Sequence, residues 1–166
     1  MRVAIFLVAL AAAVLPASAQ SVNVERIDVV DRGIYEIVTG AQTPGANTPT
    51  GTVTATTAEK LVTATTTIPG KVGVEFGFHY VVAGLPKGAE APLDFAIAYP
   101  PPGLKDPAAA APMPESKYSR PKKIGDTIYL GYGFENAWEI VPGTWTFTIS
   151  SGGKKLAEQS FTVTKP

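Results

Sequence analysis

The sequence predicts an all-β chain: a single immunoglobulin-like antiparallel β-sandwich of about seven to nine strands behind a cleaved signal peptide. Three observations carry that expectation. Apolar residues recur with period two in several separate stretches, Gly and Pro punctuate the gaps between them, and after the N-terminal segment no apolar stripe runs through four helical turns. A closed barrel is the rival arrangement, and the Cys and Trp spacing of antibody-type domains is absent.

The N-terminus reads as an export signal. Arg2 precedes an uninterrupted apolar run from Val3 to Leu15, and the small residues Ala17, Ser18 and Ala19 follow Pro16. Thirteen such residues rise about 20 Å as a helix, short of the roughly 30 Å hydrocarbon core of a bilayer. Cleavage after Ala19 leaves residues 20–166 as the β-sandwich domain, with a formal charge of minus one because Arg2 is the only charged residue removed. The expected destination is the bacterial periplasm or the exterior, with no part embedded in a membrane. The chain contains no Cys, so packing alone must hold it together in an oxidising compartment.

The strands follow in order. Val22 to Val30 and Ile34 to Thr39 read as two strands broken at Asp31-Arg32-Gly33. From Val72 to Val82 every even position is apolar, ending in Phe76, Phe78, Tyr80 and Val82. Leu93, Phe95, Ile97 and Tyr99 alternate with smaller or polar neighbours, as do Trp145, Phe147 and Ile149, which places Trp145 in the core. Ile128 to Tyr132 and Phe161 to Val163 complete the set. Ser151-Gly152-Gly153 predicts a hairpin turn before the last strand, and a change of phase between Leu156 and Phe161 predicts a bulge there.

Two stretches depart from this pattern. Residues 43–67 hold eleven Thr in twenty-five positions, which favours extended backbone and reads as a polar hairpin at a sheet edge or a linker. Residues 100–121 hold seven of the fifteen prolines and read as a long Pro/Ala-rich surface loop, because proline deletes ladder donors.

Several tracts together resemble a bacterial family. They are Gly33-Ile34-Tyr35-Glu36, Ile68-Pro69-Gly70-Lys71 with Phe76-Gly77-Phe78, Gly84-Leu85-Pro86-Lys87-Gly88, and Trp138-Glu139-Ile140-Val141-Pro142-Gly143-Thr144-Trp145-Thr146-Phe147 continuing through Gly152-Gly153 to Phe161-Thr162-Val163. In this order they resemble the family called domain of unknown function 3859, an uncharacterised exported β-domain. The resemblance implies no catalytic residues. The Thr-rich and Pro-rich stretches fit it least.

Composition narrows the chemistry. Equal numbers of basic and acidic residues, 14 of each, provide no electrostatic footprint for nucleic acid. His79 is the single histidine and is expected to face solvent from mid-strand, so a Ser-His-Asp hydrolase is disfavoured and lives only through that residue. His79 and Met113 cannot fill a transition-metal shell. Asp28 with Asp31, or Glu135 with Asn136 and Glu139, lack the dense oxygen spacing of calcium loops, and Glu135 with Glu139 has no predicted cleft for glycoside hydrolysis. No catalytic residue, metal or cofactor is expected.

What remains is a binding surface. Lys117, Arg120, Lys122 and Lys123 gather positive charge at the end of the Pro-rich loop, and Trp138 and Tyr132 are the aromatic candidates beside them. Trp138 either plugs one end of the sandwich or is an exposed contact. The favoured expectation is a non-catalytic module that binds an envelope protein or polymer, through loops or by strand addition at an open edge. The alternative is a carbohydrate or small-ligand module built on Trp138, Tyr132 and Tyr129.

Overall fold

The computed structural model describes residues 21–165, so the expected signal peptide lies outside the described residues. One sheet contains β1 (Asn23–Pro44), β2 (Thr52–Ala64), β4 (Glu75–Leu85) and β7 (Thr127–Gly133), in the order β2-β1-β4-β7. The other contains β3 (Thr67–Ile68), β5 (Glu90–Ala98), β6 (Glu115–Lys123), β8 (Gly143–Ser151) and β9 (Lys154–Val163), in the order β3-β9-β8-β5-β6. All neighbours pair antiparallel except β3 and β9. A single 3-10 turn, Ala137–Glu139, is the one helical element among the described residues.

Alternation places the core where the sequence predicts it. Phe76, Phe78, Tyr80 and Val82 of β4 are fully buried, and they face Leu93 of β5, Trp145, Phe147 and Ile149 of β8 and Phe161 of β9. Phe76 is the hub: its ring centroid lies 5.7 Å from Trp145, 5.8 Å from Phe147 and 5.3 Å from Phe161, each nearly edge-on. Such pairs add about 0.5–1.5 kcal/mol beyond area burial. In a chain without Cys, this interlocked aromatic layer is what joins the sheets.

The turn into β9 also follows the sequence. Gly152 and Gly153 have φ of 56° and 78°, the paired positive values of a tight hairpin that only glycine adopts cheaply. The phase change becomes a bulge at Leu156, where Ile149 pairs with Ala157 but Ser150 with Lys155.

Three expectations are corrected. Asp31-Arg32-Gly33 does not break the first strand: β1 runs through it for 22 residues. Its irregularity is absorbed as a register shift between Val29 and Asp31, and Gly33 is required by close approach, since a Cβ there would lie 1.9 Å from the Thr63 carbonyl oxygen. The Pro-rich stretch is only partly a loop, because Glu115–Lys123 is strand β6, paired with β5 throughout. β6 is an edge strand, which is where a sheet tolerates Pro121. Val72 lies outside β4 and is 47% exposed, so the buried alternation begins later than expected.

Candidate functional site

The site begins with the length of β1. Its first half pairs with β4, from Asn23↔Leu85 to Tyr35↔Glu75. β4 begins at Glu75, so beyond Tyr35 the strand pairs with β2 alone, and the two continue as a two-stranded arm turning at Gly45–Gly51. Register shifts at Ile34/Tyr35, Val38/Thr39 and Thr39/Gln42 increase the twist of the ribbon. The arm consequently curls over the outer face of its own sheet, past β7, until the Asn47 carbonyl accepts a 3.0 Å hydrogen bond from the Lys117 amide of β6.

The curl is fixed by a polar cluster beneath it. The Tyr35 hydroxyl donates to Asp31 Oδ1 at 2.5 Å, and His79 Nδ1 lies 2.7 Å from the same oxygen. His79 Nε2 lies 3.4 Å from Glu59 Oε1 of the arm. Burial pushes the Asp31 carboxyl up, but hydrogen bonds from Tyr35 and His79 outweigh it and hold the group below its ordinary value. His79 does lie on the face opposite the core residues, yet its side chain is only 14% exposed, so the expected solvent-facing position is corrected. The arm and the Tyr35 and Tyr129 rings cover it, with centroids 5.2 and 5.7 Å away. Where a hydrolytic triad needs a hydroxyl, His79 meets the Glu59 carboxylate.

Gly33, Gly77 and Gly131 line up across β1, β4 and β7 on this same outer face. Without side chains they leave a shallow track in which Tyr129 lies flat: a Cβ on Gly131 would fall 2.0 Å from its hydroxyl. The Tyr129 hydroxyl thereby reaches Glu75 Oε1 at 2.9 Å. Burial is the main reason that the Glu75 carboxyl is pushed up to about 7, with the Tyr129 hydrogen bond opposing it and Glu135 adding to it.

Between the arm, β7 and β6 opens a cleft of about 970 Å³. The arm contributes Thr43, Val53, Thr54 and Glu59; the floor is Tyr80, Phe95 and Tyr118; the far wall is Arg120 and Lys122. β7 borders the cleft along its whole length and pairs only with β4. Phe134, just beyond it, exchanges backbone bonds on the β4 side, with Val74 at 3.0 Å and Gly73 at 2.8 Å. Antiparallel alternation from there leaves the amides and carbonyls of Thr127, Tyr129, Gly131 and Gly133 on the free edge.

The six residues expected to form one surface are divided. On β6, Arg120 and Lys122 face the cleft while Lys117 and Lys123 point to solvent, as the pleat requires. Lys117 pairs with Glu115 at 2.5 Å. Tyr132 is on the inner face of β7, its ring 5.0 Å from Trp145 and its hydroxyl donating to Glu139 Oε1 at 3.0 Å. Glu139 is 1% exposed, and burial raises its pKa despite bonds from the Asn136 amide and Tyr132. Trp138, in the 3-10 turn, is partly buried against the core. Tyr129, Tyr132 and Trp138 therefore occupy an outer face, an inner face and a terminal turn, and the expected aromatic platform is not assembled.

Sequence reasoning missed Tyr80, Glu75 and the free edge of β7. One signal was present: Gly131 and Gly133 inside a strand mark a close backbone approach. Among the described residues no group of three His, Cys, Asp or Glu side chains is placed to hold a metal, and no helix is long and apolar enough to cross a membrane.

A family profile described as Domain of unknown function (DUF3859) matches residues 23–163. The solved structure of an immunoglobulin-like protein from Pseudomonas aeruginosa is similar at 24% identity and a TM-score of 0.57, over 89% of this chain and all of that one. Its likeness concerns the fold. No curated protein matches the chain.

Proposed function

The chain belongs to the DUF3859 family, and we propose that it is a binding module that takes up an extended polypeptide by strand addition along β7. The observation that carries this reading is the position of the free edge: along the seven residues of β7, the unpaired amides and carbonyls of Thr127, Tyr129, Gly131 and Gly133 lie inside the cleft, under the arm, instead of against bulk solvent. At about 3.4 Å per residue that edge offers roughly 24 Å of ladder, enough for a guest strand of similar length. The Thr-rich arm wall supplies hydroxyls to a polar backbone.

The partner in this reading is an exported or envelope protein, as the export signal expected from Arg2 and the apolar run Val3 to Leu15 suggests. A photo-cross-linking residue placed at Thr54, in the arm wall, and another at Lys154, on the opposite side of the fold, test this in cells. Thr54 is expected to capture one reproducible partner and Lys154 none. Capture of the same abundant proteins from both positions overturns the reading.

A further inference from the structure

The far wall of the cleft holds a second feature that strand addition does not use. Arg120 and Lys122 are two positions apart on β6 and project from the same face. Among the described residues neither makes an ion pair with a carboxylate. Arg120 donates at 2.9 Å to the neutral Thr43 Oγ1 of the arm, and its guanidinium carbon lies 6.0 Å from the Tyr118 ring centroid. Burial, and then repulsion from Arg120, lower the pKa of Lys122. Two half-buried cations with no carboxylate within ion-pair distance are an unbalanced charge.

Beside them is an orphan donor. Tyr80 is fully buried, its hydroxyl has no hydrogen-bond partner, and it lies in the cleft floor with Phe95 and Tyr118. A buried hydroxyl left without a partner costs about 1–3 kcal/mol, and such groups are rare in native structures, where each calls for a physical reason. The cation pair and the hydroxyl are independent observations, contributed by different sheets, and both border the same space.

We propose that Arg120, Lys122 and the Tyr80 hydroxyl form a carboxylate-binding site that anchors an acidic group of the guest polypeptide. The proposal rests on the strand-addition reading and deepens it by naming the partner's chemistry. A carboxylate matches the donor set: the planar guanidinium gives a two-pronged contact, the ammonium a point charge, and the phenol a third hydrogen bond. Phe95, Ile97 and the ring of Tyr118 give it a largely apolar surround. Glu59, Glu75 and Glu135 border other parts of the cleft and repel an acid there. The guest's acidic group is thereby confined to the β6 wall, which fixes its register.

The test uses a library of random eight-residue peptides, displayed in one arm with a free C-terminal carboxylate and in the other with the C-terminus joined to a carrier. The expected result is enrichment of peptides with an acid at one fixed position. Enrichment confined to the free-end arm assigns the site to a chain terminus, and enrichment in both assigns it to an Asp or Glu side chain. The selected peptides should lose roughly tenfold in affinity against Lys122→Gln and about threefold against Tyr80→Phe, and retain affinity against Lys122→Arg. Melting curves check that each variant is folded. Enriched peptides without an acid, indifferent to Lys122→Gln, overturn the carboxylate site and leave strand addition standing. No enrichment over a display control overturns both.

Discussion

The two long edges of this sandwich are finished in opposite ways. At the edge where β1 meets β9, the chain crosses from one sheet to the other. Residues 65–68 lie along β9, Thr162 donates to the Thr66 carbonyl at 2.7 Å and Thr164 to that of Ile68 at 2.8 Å, and Ile68 is fully buried. Arg32 Nη1 then reaches Gln159 Oε1 at 2.6 Å and ties the sheets together. At the opposite edge, β6 and β7 have no connecting strand, and the arm tip touches β6 through one backbone bond and the Thr43–Arg120 contact. One edge is closed by buried apolar residues and a short parallel ladder. The other is bridged by the tip of a polar arm, in which Thr43, Thr50 and Gly51 are exposed, and this leaves space for a further chain.

The largest effect comes from removing what both edges share. Trp145→Ala should cost about 3–5 kcal/mol, because the ring is fully buried and touches Phe76, Tyr99, Tyr132 and Phe134. Urea denaturation followed by Tyr fluorescence and circular dichroism should show the whole domain losing stability together. An unfolding midpoint within error of wild type would show that the sheets are not joined by this layer.

A smaller effect should separate the edges. In Gly131→Val the new side chain collides with the Tyr129 hydroxyl, an overpacking penalty of about 1–3 kcal/mol. Hydrogen exchange should accelerate in the arm and β7 while the Ile68–Val163 ladder keeps its protection. Equal loosening of both edges would contradict their independence.

Glu75 gives the comparison a pH dependence. Its folded pKa of about 7 lies above the ordinary value of 4.5, so between those values the folded state holds more protons than the unfolded one. Stability contributed at this residue is therefore greatest below about pH 4.5 and falls as pH rises towards 7, then levels off. Glu75→Gln should flatten that decline in a series of urea titrations from pH 5 to 8. A slope unchanged by the substitution would place the titration elsewhere.

The smallest change is expected from Tyr80→Phe. Deleting an unsatisfied buried hydroxyl should leave the domain as stable or up to about 1 kcal/mol more stable. Destabilisation beyond about 1 kcal/mol would mean that the hydroxyl already has a partner.

How legible each edge was in the sequence follows from how it is built. β4, β5 and β8 could be read directly, because residues such as Phe76, Phe78 and Tyr80 alternate strictly with small or polar ones and tight turns bound the strands. β6 could not: its inward positions are Ser116, Tyr118, Arg120 and Lys122, so the period is there without hydrophobicity, and Pro121 suggests a loop. The charges at 117–123 were visible, but which of them share a face depends on the strand assignment that was missed. The arm's curl rests on register shifts in β1 and on the distant Asp31, Glu59 and His79 contacts, and no local pattern reports those.

Arg120 serves two neighbours. Its guanidinium holds Thr43 of the arm and also faces the open space beside Lys122. An incoming chain that claims this residue competes with the arm's own fastening, so the arm must let go of Arg120 before the chain is captured. The rate of association is then limited by how often the arm lifts, and it should reach a plateau as guest concentration increases.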